Sequence, residues 1–242
     1  MHKLKRLVLV ISILILTINT HVLANIEPLV NYSEVKRNPN NPYHILVNKE
    51  NALDPTYVPD ELVIPNVRFA NYGDIEKNHM EKKAAEALEN MFSAAKLENI
   101  DLIAISGYRS YERQKNLYYN AVRRLGIDQM SSAKGGHSEH QTGLAMDLNS
   151  LSQSFANTKE GLWLAENCYK FGFIIRYPEG KSEITGYIYE PWHIRYVGLE
   201  LAEYCTLNNL ALEEVAVLEQ PEPSISDLRD AINYIRTHFK VK

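Results

Sequence analysis

The feature that most constrains this 242-residue chain is a short apolar run at residues 102–105, which stands between two helical patterns. The first pattern repeats apolar residues at helical spacing and predicts a helix that begins near Asn78 and includes Met80. The second begins at a Ser110 cap and ends at Gly126. The run between them is too short for a helix and contains β-branched residues, so it predicts a buried strand.

Further strand patterns follow in the second half of the chain. Residues 144–148 alternate in polarity, and residues 173–177 and 184–196 are also strand candidates. Helical patterns at residues 162–171 and 199–207 lie among them. Strands that return like hairpins between helices predict an α+β fold, a single domain with a small antiparallel sheet packed by helices, rather than a doubly wound sheet.

Prolines and asparagines are frequent in residues 25–65, which excludes a long helix there and predicts an extended arm laid over the domain. The apolar piece at residues 44–47 is a candidate edge strand within this arm. The main domain is then expected to span residues 66–218.

The two ends of the chain differ from this domain. Residues 1–24 combine a basic start, a short apolar run and small residues before Asn25, which is typical of a secretory signal peptide. An uncleaved membrane anchor is the alternative, although the apolar run is short for a span of about 20 residues. Residues 219–242 predict a proline-containing linker and a terminal helix at residues 227–239.

Composition excludes several classes of protein. The net charge of −4 argues against a nucleic-acid partner, because phosphate backbones require basic surfaces. The sequence contains neither a phosphate-binding P-loop nor a G-x-G-x-x-G fingerprint, which argues against a nucleotide enzyme. Cys168 and Cys205 are too few for a disulfide scaffold. We expect both to be buried thiols, with a disulfide between them as the alternative.

One group of residues has the side chains of a metal site. His140 ends a glycine-rich loop, and Asp147 lies in the predicted strand that follows. Gly143 permits a sharp return of the chain that can bring His140 beside Asp147, and the small Ala145 leaves room there. Histidine and aspartate are zinc ligands, and a catalytic zinc uses three protein ligands. For this pair alone, chance or a hydrogen bond within the core is the more frequent explanation.

Glu190 and His193 form a second group. Pro191 keeps Glu190 extended and excludes the helical geometry of an H-E-x-x-H zinc site. A carboxylate three residues from a ligand histidine suits a general base beside a metal ion. Packing of His193 with Trp192 in the core is the alternative, since short motifs match by chance.

Three motifs occur together in this chain. They are Ser106-Gly107-Tyr108-Arg109, Ser138-x-His140-x-x-Gly143-x-Ala145-x-Asp147 and Glu190-x-x-His193. In this combination and order the chain resembles the VanY-type D-alanyl-D-alanine carboxypeptidases over roughly residues 46–198. These belong to the LAS zinc metallopeptidases, the group of lysostaphin, the D-Ala-D-Ala metallopeptidases and sonic hedgehog. The resemblance implies a LAS/hedgehog-like α+β fold.

The resemblance also implies roles for individual residues. It implies that His140, Asp147 and His193 bind one Zn²⁺ per chain and that Glu190 is the catalytic base.

Further roles concern the substrate. The resemblance implies that Arg109 holds the scissile carbonyl, that Ser138 and Gln114 contact the terminal residue or its carboxylate, and that Trp192 shapes the site. A permanently charged donor also suits an oxyanion on physical grounds. A surface ion pair with Glu112 is the alternative for Arg109.

The leading functional hypothesis is therefore a zinc-dependent D,D-carboxypeptidase that removes the C-terminal D-alanine from peptidoglycan stem peptides. The alternatives are an L,D-carboxypeptidase acting on tetrapeptide stems, a cell-wall endopeptidase and a non-catalytic wall-binding module on the same fold. The expected location is outside the cytoplasm, either secreted or anchored facing the cell wall. A membrane is an expected partner only if the N-terminal segment is not cleaved.

Overall fold

The computed structural model describes residues 34–129 and 132–218. The predicted signal peptide, the beginning of the predicted arm, the linker and the C-terminal helix lie outside these residues. None of the helices in the described part of the chain is both long enough and apolar enough to cross a membrane.

Six strands and five α-helices are formed by the described residues. The strands are β1 (Leu62–Val63), β2 (Met80–Glu81), β3 (Ala104–Ser106), β4 (Ala145–Leu148), β5 (Phe173–Ile175) and β6 (His193–Tyr196). The helices are α1 (Lys82–Leu97), α2 (Tyr111–Leu125), α3 (Lys159–Asn167), α4 (Ser182–Thr185) and α5 (Leu199–Leu207).

The main sheet has four strands in the order β3-β4-β6-β5, and every neighbouring pair is antiparallel. β1 and β2 form a separate antiparallel pair. This arrangement confirms the predicted α+β fold with a small antiparallel sheet.

One face of the main sheet packs against α1. Met146 of β4 and Ile194 of β6 share a core cluster with Leu88 and Met91 of α1, and all four side chains are fully buried. A smaller cluster joins β5 to α5. Because residues alternate across a strand, the opposite face of β4 and β6 remains available for polar side chains.

The second predicted helix is confirmed at both ends. The Ser110 hydroxyl accepts a hydrogen bond from the Arg113 amide at the start of α2. Gly126 ends the helix with a positive φ of +92°, a conformation that glycine adopts without strain. Cys168 and Cys205 are free, buried thiols, as expected.

The first predicted helix starts later than expected. Met80 pairs with Val63 as part of a strand, and α1 begins only at Lys82. The Glu81 side chain caps the helix by accepting a hydrogen bond from the Ala84 amide. A fully buried Met80 suits the inward face of a strand as well as that of a helix, so its apolar character could not distinguish the two.

Two strand predictions were wrong. Residues 44–47 form no strand, because Asn41 initiates a short 3-10 helix and the Ile45 carbonyl accepts a hydrogen bond from the Arg195 side chain instead of a strand partner. Within residues 184–196 only β6 is a strand. The first residues belong to α4, which ends at Gly186.

Candidate metal site

Two of the predicted metal ligands lie on neighbouring strands of the main sheet. Asp147 of β4 is the direct cross-strand partner of His193 in β6. Directly opposed residues project from the same face of a sheet, and the Nδ1 atom of His193 lies 2.9 Å from Oδ1 of Asp147. The register of two central strands therefore fixes this half of the site.

The third predicted ligand, His140, comes from a 3-10 turn at residues Glu139–Thr142. Gly143 ends this turn in the left-handed region with φ of +69°, and a Cβ atom there would lie 2.9 Å from the Glu81 amide nitrogen. The chain thus makes the predicted sharp return into β4. The Nε2 atom of His140 lies 3.4 Å from Oδ2 of Asp147.

The three side chains together fit a metal ion. Donor atoms of His140, Asp147 and His193 lie within 4.8 Å of one another, and all three residues are buried. Two imidazoles and one carboxylate are a ligand set of the kind that catalytic zinc uses, which leaves further positions open for water and substrate.

The protonation states of the ligands differ. Burial and the nearby Arg109 lower the pKa of His140 to about 3, so this imidazole is neutral. Burial would also lower the pKa of His193, but the hydrogen bond to Asp147 and the nearby carboxylate of Glu139 raise it to about 9. Since metal binding requires neutral imidazoles, a bound cation must displace a proton from His193.

All eight residues that the sequence predicted for the site line one cavity of about 620 Å³. They are Arg109, Gln114, Ser138, His140, Asp147, Glu190, Trp192 and His193. The structure thus brings the three motifs together in one place. Trp192 is largely buried and belongs also to the core cluster beneath the sheet, so both of its predicted environments are present.

Glu190 is the titratable group whose environment suits proton transfer near neutral pH. Burial raises the pKa of Glu190 to about 7, and the negative charge of Asp147 contributes, while His193 and Arg109 oppose the rise. A carboxyl group with a pKa near neutrality can both accept and return a proton.

Arg109 is held by two polar side chains. Its guanidinium donates to Oε1 of Gln114 at 2.8 Å and to the Ser106 hydroxyl at 3.1 Å. The alternative of an ion pair with Glu112 is wrong, since Glu112 pairs with Lys115.

The side chain of Gln114 is used in hydrogen bonds to other groups of the protein. Its Oε1 atom accepts from Arg109, its Nε2 atom donates to the carbonyl of Ala133 at 2.6 Å, and its side chain is buried. The hydroxyl of Ser138, in contrast, does not cap the 3-10 turn that follows it.

Helix α2 forms a long wall of the cavity that the sequence did not identify. Beyond Gln114, the lining continues along one helical face to Leu117, Ala121 and Arg124, at spacings that stack side chains on the same side of a helix. The helix itself was predicted, but its proximity to the metal ligands depends on tertiary contacts.

A buried charge cluster beside the ligands was also missed. Glu139 lies next to His140 in sequence, and it accepts hydrogen bonds from Arg176 at 2.7 Å and from Arg195 at 2.5 Å. All three side chains are completely buried. Arginines within the apolar segments around β5 and β6 were a usable signal, because a buried charge requires a partner.

Comparison with known proteins is consistent with this geometry. The family model described as VanY, D-alanyl-D-alanine carboxypeptidase, matches residues 77–199. The Bacillus subtilis (strain 168) protein YodJ is 50% identical over 184 residues, which are 72% of this chain and 67% of YodJ.

Two solved structures share the fold. The LD-carboxypeptidase LdcB has a TM-score of 0.69 and 48% identity, and the match covers 73% of this chain and 87% of that one. A mutant of the D,D-pentapeptidase VanY from a VanB-type vancomycin-resistance cassette, in complex with Zn(II), has a TM-score of 0.59 and 34% identity, with coverage of 72% and 98%. On the family model and these likenesses, the chain belongs to the VanY family of D-alanyl-D-alanine carboxypeptidases.

Proposed function

We propose that this chain is a zinc-dependent carboxypeptidase that removes the C-terminal D-alanine from peptidoglycan stem peptides. The observation that carries the proposal is the single cavity in which the His140, Asp147 and His193 cluster meets Glu190 and Arg109. Membership of the VanY family supports the substrate class, and a VanY relative was solved with Zn(II).

His140, Asp147 and His193 would hold the zinc ion. Bound zinc supplies a Lewis acid for the scissile carbonyl and lowers the pKa of water to about 7. Their burial lowers the local dielectric, which strengthens the electrostatic interactions among them.

We assign the two proton transfers of the hydrolysis to Glu190. It accepts the proton of the attacking water and returns it to the amine of the departing D-alanine. Its pKa of about 7 supports this role, because the ionised and the protonated carboxyl group are then both accessible near neutral pH.

We assign Arg109 to the stabilisation of the negative charge that develops on the carbonyl oxygen in the transition state. A guanidinium fixed by Gln114 and Ser106 needs little reorganisation when that charge appears. We assign Gln114 to this positioning rather than to the substrate, since its amide is already used.

The terminal carboxylate of the substrate is assigned to Ser138. This residue is buried at the cavity wall, and its hydroxyl is not used to cap the following turn. A hydroxyl in this position can donate a hydrogen bond to a carboxylate oxygen.

The cavity favours an L,D-carboxypeptidase that acts on tetrapeptide stems. It extends from the metal ligands along α2 to Asn120 and Arg124, and Leu151 and Ile188 also line it. Its volume of about 620 Å³ lies within the ~300–1,000 Å³ typical of ligand pockets, which leaves room beyond the terminal D-alanine. A penultimate residue with a long side chain would use this space, and the 48% identity to LdcB supports the same choice.

D,D-carboxypeptidase activity on pentapeptide stems is the second candidate. The description of the matching family model and the likeness to the D,D-pentapeptidase VanY favour it. Both candidates release D-alanine by the same chemistry, and they differ in the residue that precedes the scissile bond.

The decisive experiment compares kcat/KM of the zinc-loaded protein on tetrapeptide and pentapeptide stems, with Glu190→Gln as the inactive control. We expect the tetrapeptide to be the better substrate. Preference for the pentapeptide would establish the second candidate, and cleavage of neither stem by a zinc-loaded, folded protein would overturn the proposed function.

Two arginines of α2 allow a test of the long wall. Arg124 lines the cavity, whereas Arg113 is exposed and is not among the lining residues. Arg124→Ala should raise KM for the tetrapeptide, and Arg113→Ala serves as the matched control. Equal effects of the two substitutions would remove Arg124 from the substrate site.

We also propose that the protein acts outside the cytoplasm. The sequence of residues 1–24 supports this location, since it has the pattern of a signal peptide or anchor. N-terminal sequencing of protein from the native host tests it. A chain that begins near Asn25 indicates cleavage, and one that begins at Met1 in the membrane fraction indicates an anchor.

A further inference from the structure

Two buried polar atoms face each other behind the metal ligands. The Oε2 atom of Glu139 and the Nε2 atom of His193 are both buried, and neither has a hydrogen-bond partner at ordinary distance among the described residues. They are 3.7 Å apart. Since an unpaired buried polar atom is costly, this pair calls for an explanation.

The carboxylate of Glu139 is fixed by its other oxygen. Oε1 accepts from Nε of Arg176 at 2.7 Å and from Nη1 of Arg195 at 2.5 Å. Both arginine side chains are completely buried and cannot turn away to solvent. The second oxygen of Glu139 is therefore held towards the imidazole of His193.

The two ring nitrogens of His193 thus face different partners. Nδ1 lies 2.9 Å from Asp147, inside the metal-ligand cluster, and Nε2 lies on the side of Glu139. A neutral imidazole carries one proton. If Nε2 keeps that proton and donates it to Glu139, the lone pair of Nδ1 is free for the metal.

His140 is arranged in the opposite way. Its Nδ1 atom is 2.7 Å from the carbonyl oxygen of Gly107, and its Nε2 atom faces Asp147. A carbonyl can only accept, so Nδ1 of His140 carries the proton and Nε2 is free. The two histidines therefore need opposite tautomers, each set by an acceptor on the side away from the cluster.

We propose that Glu139 is a positioning residue that fixes the tautomer and ring orientation of His193, so that Nδ1 of His193 binds the metal. Carboxylates commonly hold ligand histidines in this way and increase their affinity for the ion. The proposal does not depend on whether tetrapeptide or pentapeptide stems are cut.

The support for Glu139 comes from segments far away in sequence. Arg176 donates to both carboxylate oxygens of Glu213, at 2.8 and 2.7 Å. Arg195 donates to the carbonyl of Ile45 at 2.7 Å. Residues 45 and 213 lie outside the residues 77–199 that match the family model. Glu213 and the Ile45 carbonyl thus satisfy the remaining donors of the two arginines, at a distance from the metal ligands.

A purely structural role is the competing explanation, in which Glu139 only neutralises two buried arginines. Glu213 provides the matched control, because it also pairs with Arg176 but does not contact His193. The zinc affinity of Glu139→Gln and Glu213→Gln is measured by competition with a chelator, and the thermal stability of each metal-free variant is measured alongside.

We expect Glu139→Gln to weaken zinc binding by ~10- to 100-fold, the usual effect of losing such a partner. Glu213→Gln should keep the wild-type affinity even if its metal-free form melts earlier. Wild-type affinity in a folded Glu139→Gln protein, or equal losses in both variants, would overturn the proposal.

A measurement on the unaltered protein keeps the test decisive if Glu139→Gln does not fold. Nitrogen-15 histidine spectra of the zinc-loaded wild type report which ring nitrogen carries the proton. We expect His193 to be protonated at Nε2 and metal-bound through Nδ1, with the opposite arrangement in His140. Binding of the metal through Nε2 of His193 would contradict the role assigned to Glu139.

Discussion

The backbone carbonyl of Glu190 accepts a hydrogen bond from the backbone amide of His193 at 3.1 Å. This contact closes a tight turn around Pro191, which places the two side chains in the same cavity. The proposed base and one metal ligand are therefore fixed to each other by main-chain geometry as well as by their surroundings.

Replacing the base should separate chemistry from metal binding. Glu190→Gln keeps the size of the side chain and cannot take up a proton, so kcat should fall by ~10²–10⁴-fold, the usual contribution of general acid–base catalysis. Zinc content should stay at the wild-type level, because Glu190 is not part of the ligand cluster. Near-normal turnover would show that another group is the base.

The ligand assignment predicts where zinc is lost. His140→Ala and His193→Ala each remove one of three donors, and metal analysis after dialysis should find little zinc in either variant. His137→Ala is the matched control, since His137 contacts the carbonyl of Asn48 at 2.8 Å and is not in the cluster. Full zinc retention in either ligand variant would contradict the assignment.

The contribution of Glu190 to the stability of the metal-free protein should fall as pH rises. Burial raises the pKa of Glu190 from 4.5 to about 7, so the folded state holds this proton more tightly than the unfolded state does. The contribution of Glu190 to the free energy of unfolding therefore decreases between these two pH values. Glu190→Gln removes this effect and should be more stable than the wild type above pH 7, with the difference vanishing near pH 4.5.

Thermal unfolding of both proteins in the presence of a chelator provides this comparison. A constant difference in melting temperature from pH 4.5 to pH 8 would mean that the pKa of Glu190 is not raised.

Arg109 should be intolerant of a conservative change. Lysine keeps the positive charge but cannot reproduce the planar fork that bonds both Gln114 and Ser106. Arg109→Lys should therefore lower kcat more than it changes KM, because the lost interaction is strongest in the transition state. Steady-state kinetics beside the exposed Arg113→Lys control tests this, and an effect confined to KM would place Arg109 in ground-state binding.

Local signals in the sequence were sufficient where one segment determines its own structure. Ser110 and Gly126 bound α2 as predicted, and Gly143 produces the return that brings His140 to Asp147. Helical spacing places Met80 in the first helix, but an apolar residue there suits either element, and the pairing with Val63 makes it part of a strand.

The missed part of the site depends on contacts between distant segments. Glu139, Arg176, Arg195 and Glu213 form one buried network, although they come from four separate stretches of the chain. Nothing in the immediate neighbourhood of Glu139 indicates that two arginines will bury it. The cavity wall on α2 was missed for the same reason, since its position relative to the sheet is a tertiary property.

The most direct test of the central claim is mass analysis of a stem tetrapeptide, with a free or an amidated C-terminus, after incubation with the zinc-loaded protein. We predict that the free peptide loses the mass of one D-alanine residue, that the amidated peptide stays intact, and that chelation of zinc abolishes the reaction. Equal cleavage of both peptides would show an endopeptidase, and release of D-alanine from the free peptide in the absence of zinc would contradict the metal-dependent account.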